Sequence, residues 1–201
     1  EFRRVLFRSV QAGAGIRAAV PDEAYTAAGA TIVPSSTEVY AQAELVLKVR
    51  GPDANELAQL KSGQTLIGLL NPHNKDGIAA LAEAGVNGFA MEALPRISRA
   101  QSMDVLSSQA NVAGYKAVLM AANAYGKMMP MLMTAAGTVK AARVVIMGVG
   151  VAGLQAIATA KRLGAVVEAT DVRPETKEQV ESLGGKFIDV PLTDAEKELA
   201  K

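Results

Sequence analysis

The sequence lacks the residue types on which many catalytic and metal-binding sites depend. Its 201 residues include no cysteine, no tryptophan and a single histidine, His73. The absence of cysteine excludes disulfides, thiol catalysis and thiolate metal sites, and one histidine cannot form a histidine-rich metal site. We therefore predict no metal centre. Because only 4% of the residues are aromatic, aliphatic residues and methionine must form most of the core.

Neither charge nor hydropathy points to a nucleic acid or to a membrane span. Twenty-one Lys and Arg oppose 20 Asp and Glu, which gives a net charge of +1 and no bulk attraction to polyanions. We therefore expect no nucleic-acid partner. The most apolar stretch, residues 117–137, is interrupted by Asn123, Lys127 and Pro130. It does not contain the run of roughly 18–20 apolar residues that a membrane span needs.

The patterns at the two ends of the chain predict a fragment. Residues 1–9 interleave three arginines with apolar residues but lack the apolar centre of a targeting peptide. We interpret them as a cloning or sequencing remnant. Residues 193–196 (TDAE) have the pattern of a capping box that starts a helix, and that helix would continue past Lys201. We therefore expect the second of two domains to be truncated.

Short apolar runs alternate with alanine-rich segments in the first half of the chain, which is typical of an α/β protein with a mostly parallel sheet. Strands are predicted at residues 31–33, 45–49, 65–70 and 87–91, and helices at residues 22–28, 54–60 and 76–84. A capping-box pattern of Asp53 and Glu56 supports the second helix. A long helical segment over residues 98–136, with breaks considered near Gly114 and Pro130, is expected to link two domains.

The pattern changes at residues 137–141, where we expect the domain boundary. Strands are predicted at residues 143–147, 166–170 and 186–190, with helices at 152–163 and 174–183. This βαβαβ order is one mononucleotide-binding half of a Rossmann domain. The predicted architecture is two Rossmann-like α/β domains with a cleft between them. Residues 10–138 form the N-terminal domain with its linking helix, and residues 139–201 form the incomplete nucleotide-binding domain.

The segment Gly148-Val149-Gly150-Val151-Ala-Gly153 directly follows an apolar strand and opens a predicted helix. In a dinucleotide-binding turn the first glycine makes the tight turn and the second lets the backbone approach the pyrophosphate. The third lets the helix pack closely against the strand. Free N–H groups and the helix dipole would then meet the phosphates. A lone GxGxxG is weak evidence, but here the flanking strand and helix agree with it.

An acidic residue, Asp171, follows Gly148 by about 20 residues, at the end of the next predicted strand, where such domains bind the adenosine ribose. A carboxylate there accepts hydrogen bonds from ribose hydroxyls and repels a 2′-phosphate, which favours NAD(H). Arg173 favours NADP(H) instead, because a nearby arginine can accommodate a 2′-phosphate. We place Asp171, Val172 and Arg173 in the cofactor site. The alternative is that Asp171 merely caps a helix beginning at Pro174.

The polar segment before the linking helix allows two interpretations. Ser98 and Gln101 fit a capping box, and the pattern alone slightly favours that structural role. Alternatively, Arg96, Gln101 and Asp104 face a cleft between the domains. There Gln101 offers both donors and acceptors, and Asp104 can orient Arg96 or a ribose.

Five segments resemble the NAD(H)-binding component of proton-translocating NAD(P) transhydrogenases, within the alanine dehydrogenase/transhydrogenase family. They are residues 70–75 (LNPHNK), 95–109 (PRISRAQSMDVLSSQ), 148–155 (GVGVAGLQ), 170–174 (TDVRP) and 177–187 (KEQVESLGGKF). The resemblance extends over about residues 11–190. The segment PRISRAQSMD is far more specific than the glycine motif, because Rossmann domains in general lack it.

The resemblance implies a Re/Si-specific transhydrogenase in which this component transfers hydride from NADH to NADP+ held on a partner component. A membrane-spanning component couples that transfer to proton translocation. It also implies that Arg96, Gln101, Asp104 and Ser107 shape the nicotinamide end of the site, with Gln101 contacting the partner-bound NADP(H). A homodimer, peripheral on the cytoplasmic face of the membrane, is expected on the same ground.

Two other functions stay open. Alanine dehydrogenases share this two-domain ancestry and use a lysine and a histidine to bind pyruvate and move protons. Lys48 and His73 lie in or directly after predicted strands, so they could face the cleft. The other interpretation is that they are inherited scaffold positions, with His73 a hydrogen-bonded loop residue. A third possibility is a non-catalytic module that binds NAD(H) only as a sensor or structural ligand.

Overall fold

The structure, a computed structural model, describes residues 8–191 of the chain. The chain divides into two compact units, Glu1–Asp104 and Val105–Lys201. The helix start predicted at residues 193–196 and nearly all of the N-terminal segment interpreted as a remnant lie outside the described residues. Residues 137–141, where the sequence pattern placed a domain boundary, fall inside the second unit.

The described part of the first unit is an α/β structure in which every strand pairing is parallel. Strands β1 and β2 pair with each other, and β3, β4 and β5 form a second sheet in that order. Its elements are β1 (Ser9–Gln11), α1 (Asp22–Ala27), β2 (Thr31–Val33), α2 (Ser36–Gln42), β3 (Leu45–Arg50), α3 (Ala54–Leu57), β4 (Thr65–Leu69), α4 (Lys75–Glu83) and β5 (Asn87–Ala90).

The predicted capping box at the start of α3 is confirmed. The backbone N–H of Glu56 donates to Asp53 Oδ1 over 2.9 Å, and the backbone N–H of Asp53 donates to Glu56 Oε2 over 2.9 Å. The core of this unit lies around β4, where Leu66 is fully buried. Buried Gln64 donates to the carbonyl oxygens of Tyr40 and Ala43, which ties the start of β4 to the end of α2.

The second unit contains the predicted βαβαβ arrangement. Strands β8, β9 and β10 form a parallel sheet in the order β10-β9-β8, and Ile157, Ala160 and Val180 are fully buried in its core. Its elements are α5 (Val105–Tyr125), β6 (Leu132–Thr134), β7 (Gly137–Val139), β8 (Arg143–Met147), α6 (Val151–Arg162), β9 (Val166–Thr170), α7 (Thr176–Ser182) and β10 (Lys186–Phe187).

The predicted helical segment over residues 98–136 is helical over a shorter range than expected. Ser98–Met103 is a 3-10 turn, and only α5 is α-helical. Gly126, which directly follows α5, has a φ of +66°, a conformation that glycine adopts readily and that commonly ends helices. Pro130 follows, and the chain then forms the antiparallel hairpin of β6 and β7. Among the described residues, no helix combines the length and apolar character needed to cross a bilayer.

Helices α5 and α6 pack closely at Gly114, where the sequence pattern placed a break in the helix and the structure has none. Gly114 of α5 is buried, and a Cβ built there would overlap the carbonyl oxygen of Ala152 in the first turn of α6. The side-chain amide of Asn111 donates to Gln155 Oε1 over 3.3 Å beside this contact. The position of the first turn of α6 therefore depends on the absence of a side chain at residue 114.

We predict that Gly114→Ala destabilises the protein by about 1–3 kcal/mol, because overpacking forces the two helices apart. Alanine is intrinsically better than glycine in a helix by about 1 kcal/mol, so a net loss can come only from the contact with Ala152. Ala113→Ser, at an exposed neighbouring position of α5, is the control that adds one atom without this contact. Equal stability of Gly114→Ala and wild type in urea unfolding would contradict the packing argument.

Candidate functional site

The glycine-rich turn joins β8 to α6 at the carboxyl edge of the parallel sheet. Gly148 has a φ of +93°, which favours glycine. A Cβ at Gly153 would overlap the carbonyl oxygen of Gly148, so the helix can come this close to the turn only with glycine there. Gly150 is the N-cap of α6, and a Cβ there would meet open space. These are the backbone roles of the three glycines in dinucleotide-binding turns.

The start of α6 could hold an anionic group. Gly150 and Val151 are exposed, whereas Val149 between the glycines is 1% exposed. The first turn of a helix carries backbone N–H groups and the positive end of the helix dipole. The open space at Gly150 lets a phosphate approach those groups, so the residues present fit the pyrophosphate of a dinucleotide.

Asp171 joins the glycine-rich turn to the end of β9. Its Oδ2 accepts a 2.6 Å hydrogen bond from the backbone N–H of Val149, and the carbonyl oxygen of Thr170 accepts one from the backbone N–H of Gly148 over 2.9 Å. The two turns that follow β8 and β9 are therefore fixed to each other. The structure thus brings the predicted ribose-binding carboxylate directly against the predicted pyrophosphate-binding turn.

Arg173 covers the same carboxylate. Its Nε donates to Asp171 Oδ1 over 2.9 Å and its Nη2 donates to Oδ2 over 3.1 Å, while its backbone N–H donates to Oδ1 over 2.9 Å. The side chain of Asp171 is 6% exposed and that of Arg173 is 44% exposed. The guanidinium hydrogen bonds hold the pKa of the Asp171 carboxyl well below its usual range, with further help from the backbone N–H of Val149.

Asp171 does not cap the following helix, as the alternative interpretation required. Helix α7 begins at Thr176 rather than Pro174, its N-cap is Glu175, and no side chain caps it. Val172, between the two charged residues, is 50% exposed. The hydrogen bonds of Asp171 go instead to the backbone of the glycine-rich turn and to Arg173.

The predicted nicotinamide-side residues lie on the segment around the end of the first unit. Arg96 is exposed and follows a 3-10 turn at Met91–Ala93. Gln101 is exposed in the turn Ser98–Met103. Asp104, the C-cap of that turn, is partly buried, and its N–H donates to the carbonyl oxygen of Gln101 over 3.2 Å. Ser107, in the first turn of α5, is partly buried and belongs to the second unit.

The capping-box interpretation of this segment does not hold. The N-cap of the turn is Ile97, which makes no side-chain cap hydrogen bond, and Ser98 lies inside the turn. Buried Ala100 anchors the turn, which leaves the side chain of Gln101 at the surface. An exposed glutamine in a short anchored turn is available for a ligand.

Lys48 is held by an ion pair. Its Nζ lies 2.8 Å from Glu56 Oε1, and the hydroxyl of Tyr40 donates to the same oxygen over 3.3 Å. Burial, followed by the charge of Glu56, raises the pKa of Tyr40 to about 12. Burial would raise the pKa of Glu56 as well, but the hydrogen bonds from Lys48 and the backbone of Asp53 outweigh it and lower that pKa. Lys48 therefore has a structural partner within its own unit.

His73 is exposed in the loop after β4, and a residue that the sequence patterns missed shapes this loop. Glu92 accepts hydrogen bonds from the backbone N–H groups of Leu70 over 3.2 Å and Asn71 over 2.6 Å. Asn71 has a φ of +52°, so the chain turns sharply where the carboxylate holds it. No local motif signals this contact, because Glu92 follows the neighbouring strand β5.

Family models match nearly the whole chain. The model described as "Alanine dehydrogenase/PNT, N-terminal domain" matches residues 8–113, and the corresponding C-terminal domain model matches residues 117–201. The chain belongs to the alanine dehydrogenase/PNT family. In this family member, the glycine-rich turn and Asp171 lie in the region matched by the C-terminal domain model, and Arg96, Gln101 and Asp104 in the region matched by the N-terminal one.

Sequence identity is higher to transhydrogenases than to an alanine dehydrogenase of known structure. An NAD(P) transhydrogenase subunit alpha protein of Rhodospirillum rubrum is 56% identical over 189 residues, which cover 90% of this chain and 49% of that protein. A transhydrogenase structure from Sinorhizobium meliloti superposes with a TM-score of 0.86 at 55% identity, over 95% of this chain and 54% of that one. An L-alanine dehydrogenase structure superposes with a TM-score of 0.74 at 28% identity, over 96% of this chain and 54% of that one.

The resemblance noted in the sequence motifs is thus confirmed over most of the chain. The chain spans about half the length of the curated relatives it matches. The α/β fold with parallel sheets, which the sequence patterns predicted, is confirmed by the structure and by its similarity to both of these solved proteins.

We predict that Arg173→Gln raises the pKa of the Asp171 carboxyl towards its ordinary value, because the variant loses the guanidinium hydrogen bonds that lower it. A depressed pKa stabilises the folded state above the unfolded-state pKa, about 3.9 for aspartate, and that stabilisation is lost as the pH falls through the folded-state pKa. The variant should therefore be less stable than wild type at neutral pH, and the difference should shrink below about pH 4.

Carbon-13 NMR titration of the aspartate carboxyls measures this pKa, and urea unfolding between neutral and acidic pH measures the stability difference. Lys177→Gln removes a nearby exposed charge that pairs with Asp189 over 3.8 Å instead and serves as the control. A carboxyl of Asp171 that titrates alike in wild type and Arg173→Gln would rule out the assigned cause.

Proposed function

We propose that this chain is the NAD(H)-binding component of a proton-translocating NAD(P) transhydrogenase of Re/Si specificity. It would transfer hydride from NADH to NADP+ held on a partner component. The observation that carries the proposal is the glycine-rich turn locked to Asp171 with open space at Gly150. The high identity to transhydrogenase subunits, set against the lower identity to an alanine dehydrogenase, supports this activity over others in the family.

The second unit would bind the adenosine diphosphate half of NAD(H). Gly148, Gly150 and Gly153 shape the turn, and the backbone of Val149 and Val151 lines the approach to the start of α6. Asp171 would accept hydrogen bonds from the ribose hydroxyls, with Val172 and Arg173 beside it. A carboxylate at this position disfavours the 2′-phosphate of NADP(H), which is why we assign NAD(H) to this component.

Arg96, Gln101, Asp104 and Ser107 would position the nicotinamide half. Bound NADH supplies the hydride, and its transfer to a second nicotinamide needs no side-chain acid or base. The residues of this chain contribute by holding the ring in reach of its acceptor and by excluding water. Gln101, exposed in its anchored turn, would contact the NADP(H) on the partner component, and Asp104 would orient the nicotinamide end of NAD(H).

The partners follow from the same assignment. We propose that NADP(H)-binding and membrane-spanning transhydrogenase components complete the enzyme, and that the membrane component couples hydride transfer to proton translocation. We further propose that this component is a homodimer that lies peripherally on the cytoplasmic face of the membrane complex.

Alanine dehydrogenase activity is less well supported. Lys48, the lysine that such an enzyme would use, is held by Glu56, and the identity to an alanine dehydrogenase structure is only 28%. The direct test is to supply NADH and thio-NADP+, whose reduced form absorbs at a longer wavelength than NADH, to the full-length protein with its partner components. Reduction of thio-NADP+ supports the proposal. Turnover of L-alanine with NAD+ would instead identify an alanine dehydrogenase, and NADH binding with neither reaction would identify a non-catalytic module.

Two glycine variants should separate binding from stability. Gly150→Ala should keep its stability, because the backbone there is extended and a Cβ meets open space. It should nevertheless lose about tenfold or more in NADH affinity, a change of about 1.4 kcal/mol, since the methyl group occupies the approach to α6. Gly153→Ala should lose stability by about 1–3 kcal/mol through overpacking against Gly148. Titration calorimetry and urea unfolding distinguish the two, and unchanged NADH affinity in Gly150→Ala would contradict the assigned pyrophosphate position.

Gln101→Ala should slow hydride transfer to partner-bound thio-NADP+ by about tenfold or more, because small errors in the relative placement of reacting groups are costly. NADH affinity should stay nearly unchanged. Ser102→Ala, at an exposed neighbouring position of the same turn, is the matched control. If Gln101→Ala lowers only the unfolding free energy and leaves the transfer rate as in wild type, Gln101 has a structural role alone.

A further inference from the structure

The carboxylate of Asp171 has no acceptor position left for a ligand. It accepts four hydrogen bonds, one from the backbone N–H of Val149 and three from Arg173. A carboxylate offers about four lone-pair sites, so these donors saturate it. A ribose diol that approaches Asp171 in this arrangement finds nothing to which it can donate, and one of the present donors must leave first.

Only the guanidinium can leave without moving the main chain. The N–H groups of Val149 and Arg173 belong to the backbone, and Val149 is almost completely buried. The side chain of Arg173 is 44% exposed and has a long flexible stem. Withdrawal of its Nε and Nη2 frees two acceptor positions on the carboxylate, and the two hydroxyls of a ribose diol are the same number of donors.

The pairing also alters the charge that an adenosine ribose meets. A lone carboxylate repels a 2′-phosphate, but the adjacent guanidinium cancels most of that charge at short range. Once displaced, the guanidinium stays near the ribose, where a 2′-phosphate is a stronger partner for it than a hydroxyl because arginine binds phosphate through paired charge-assisted hydrogen bonds. Both effects favour NADPH relative to NADH.

We propose that Arg173 lowers the selectivity of this site for NADH by competing with the adenosine ribose for Asp171, so that the site is less selective for NADH than the carboxylate alone would make it. This inference rests on the proposed function, since it presumes that the site binds NAD(H). Any contact of the released guanidinium with the adenine ring is common to both cofactors, so it cancels in the ratio of their affinities.

The decisive measurement is the ratio of the dissociation constants for NADPH and NADH in the full-length protein. In Arg173→Met the ratio should rise about fivefold, a typical upper value for one partly exposed ion pair. Arg173→Gln should raise it as well. Lys177→Met, which removes a nearby positive charge that does not contact Asp171, should leave the ratio as in wild type. A ratio that stays the same or falls in both Arg173 variants overturns the inference, and nucleotide binding by wild type would still support the proposed function.

A second measurement does not depend on any variant. The Nε–H resonance of Arg173 in the wild-type protein should lose its hydrogen-bonded chemical shift when NADH saturates the site. An unchanged resonance in the NADH-bound protein would mean that the ribose does not displace the guanidinium, which contradicts the competition. If wild type binds neither NADH nor NADPH, both the proposed function and this inference fail together.

Discussion

The candidate site depends on the hydrogen bond from the backbone of Val149 to the carboxylate of Asp171. It joins the turn after β8 to the turn after β9, so two neighbouring parallel strands end in one fixed surface. Because the donor is a nearly buried main-chain group, losing the acceptor would leave an unpaired N–H in the core. Asp171 therefore shapes the glycine-rich turn in addition to its proposed role in ribose binding, and a change at this residue would act on both.

Close contacts at two glycines fix the first turn of α6 beside that surface. Gly153 lets α6 lie against the carbonyl oxygen of Gly148, and Gly114 lets α5 lie against the carbonyl oxygen of Ala152. Both contacts involve backbone atoms, which cannot move aside as a flexible side chain can. The first turn of α6 is thus held on two sides, and the rigid portion of the site is built from main chain and small residues. Gly150, by contrast, faces open space, which is the arrangement expected where a ligand and not a neighbouring element approaches the backbone.

The candidate site was only partly accessible to sequence reasoning. The spacing of Gly148, Gly150 and Gly153 after an apolar strand predicted the turn, because each glycine answers a local backbone requirement. The pattern of Ser98 and Gln101 was misleading, since the same residues fit a capping box that the 3-10 turn does not form. Two other interactions join residues from different elements. One is the ion pair of Lys48 with Glu56, and the other is the pair of hydrogen bonds that Glu92 accepts from the backbone of Leu70 and Asn71. No periodicity in the sequence encodes such pairs.

The sequence by itself determined the α/β class, the βαβαβ order and most of the longer elements, because hydrophobic periodicity, caps and glycines act over a few residues. It did not determine β1, α2 or the hairpin of β6 and β7, which are short elements whose stability comes from neighbours distant in the chain. Only the folded structure decided that Arg173 lies on Asp171 and, together with the backbone N–H of Val149, saturates it. Charge and spacing permit either a free carboxylate or a paired one, and only the folded geometry of the turn after β9 brings the guanidinium within hydrogen-bonding distance.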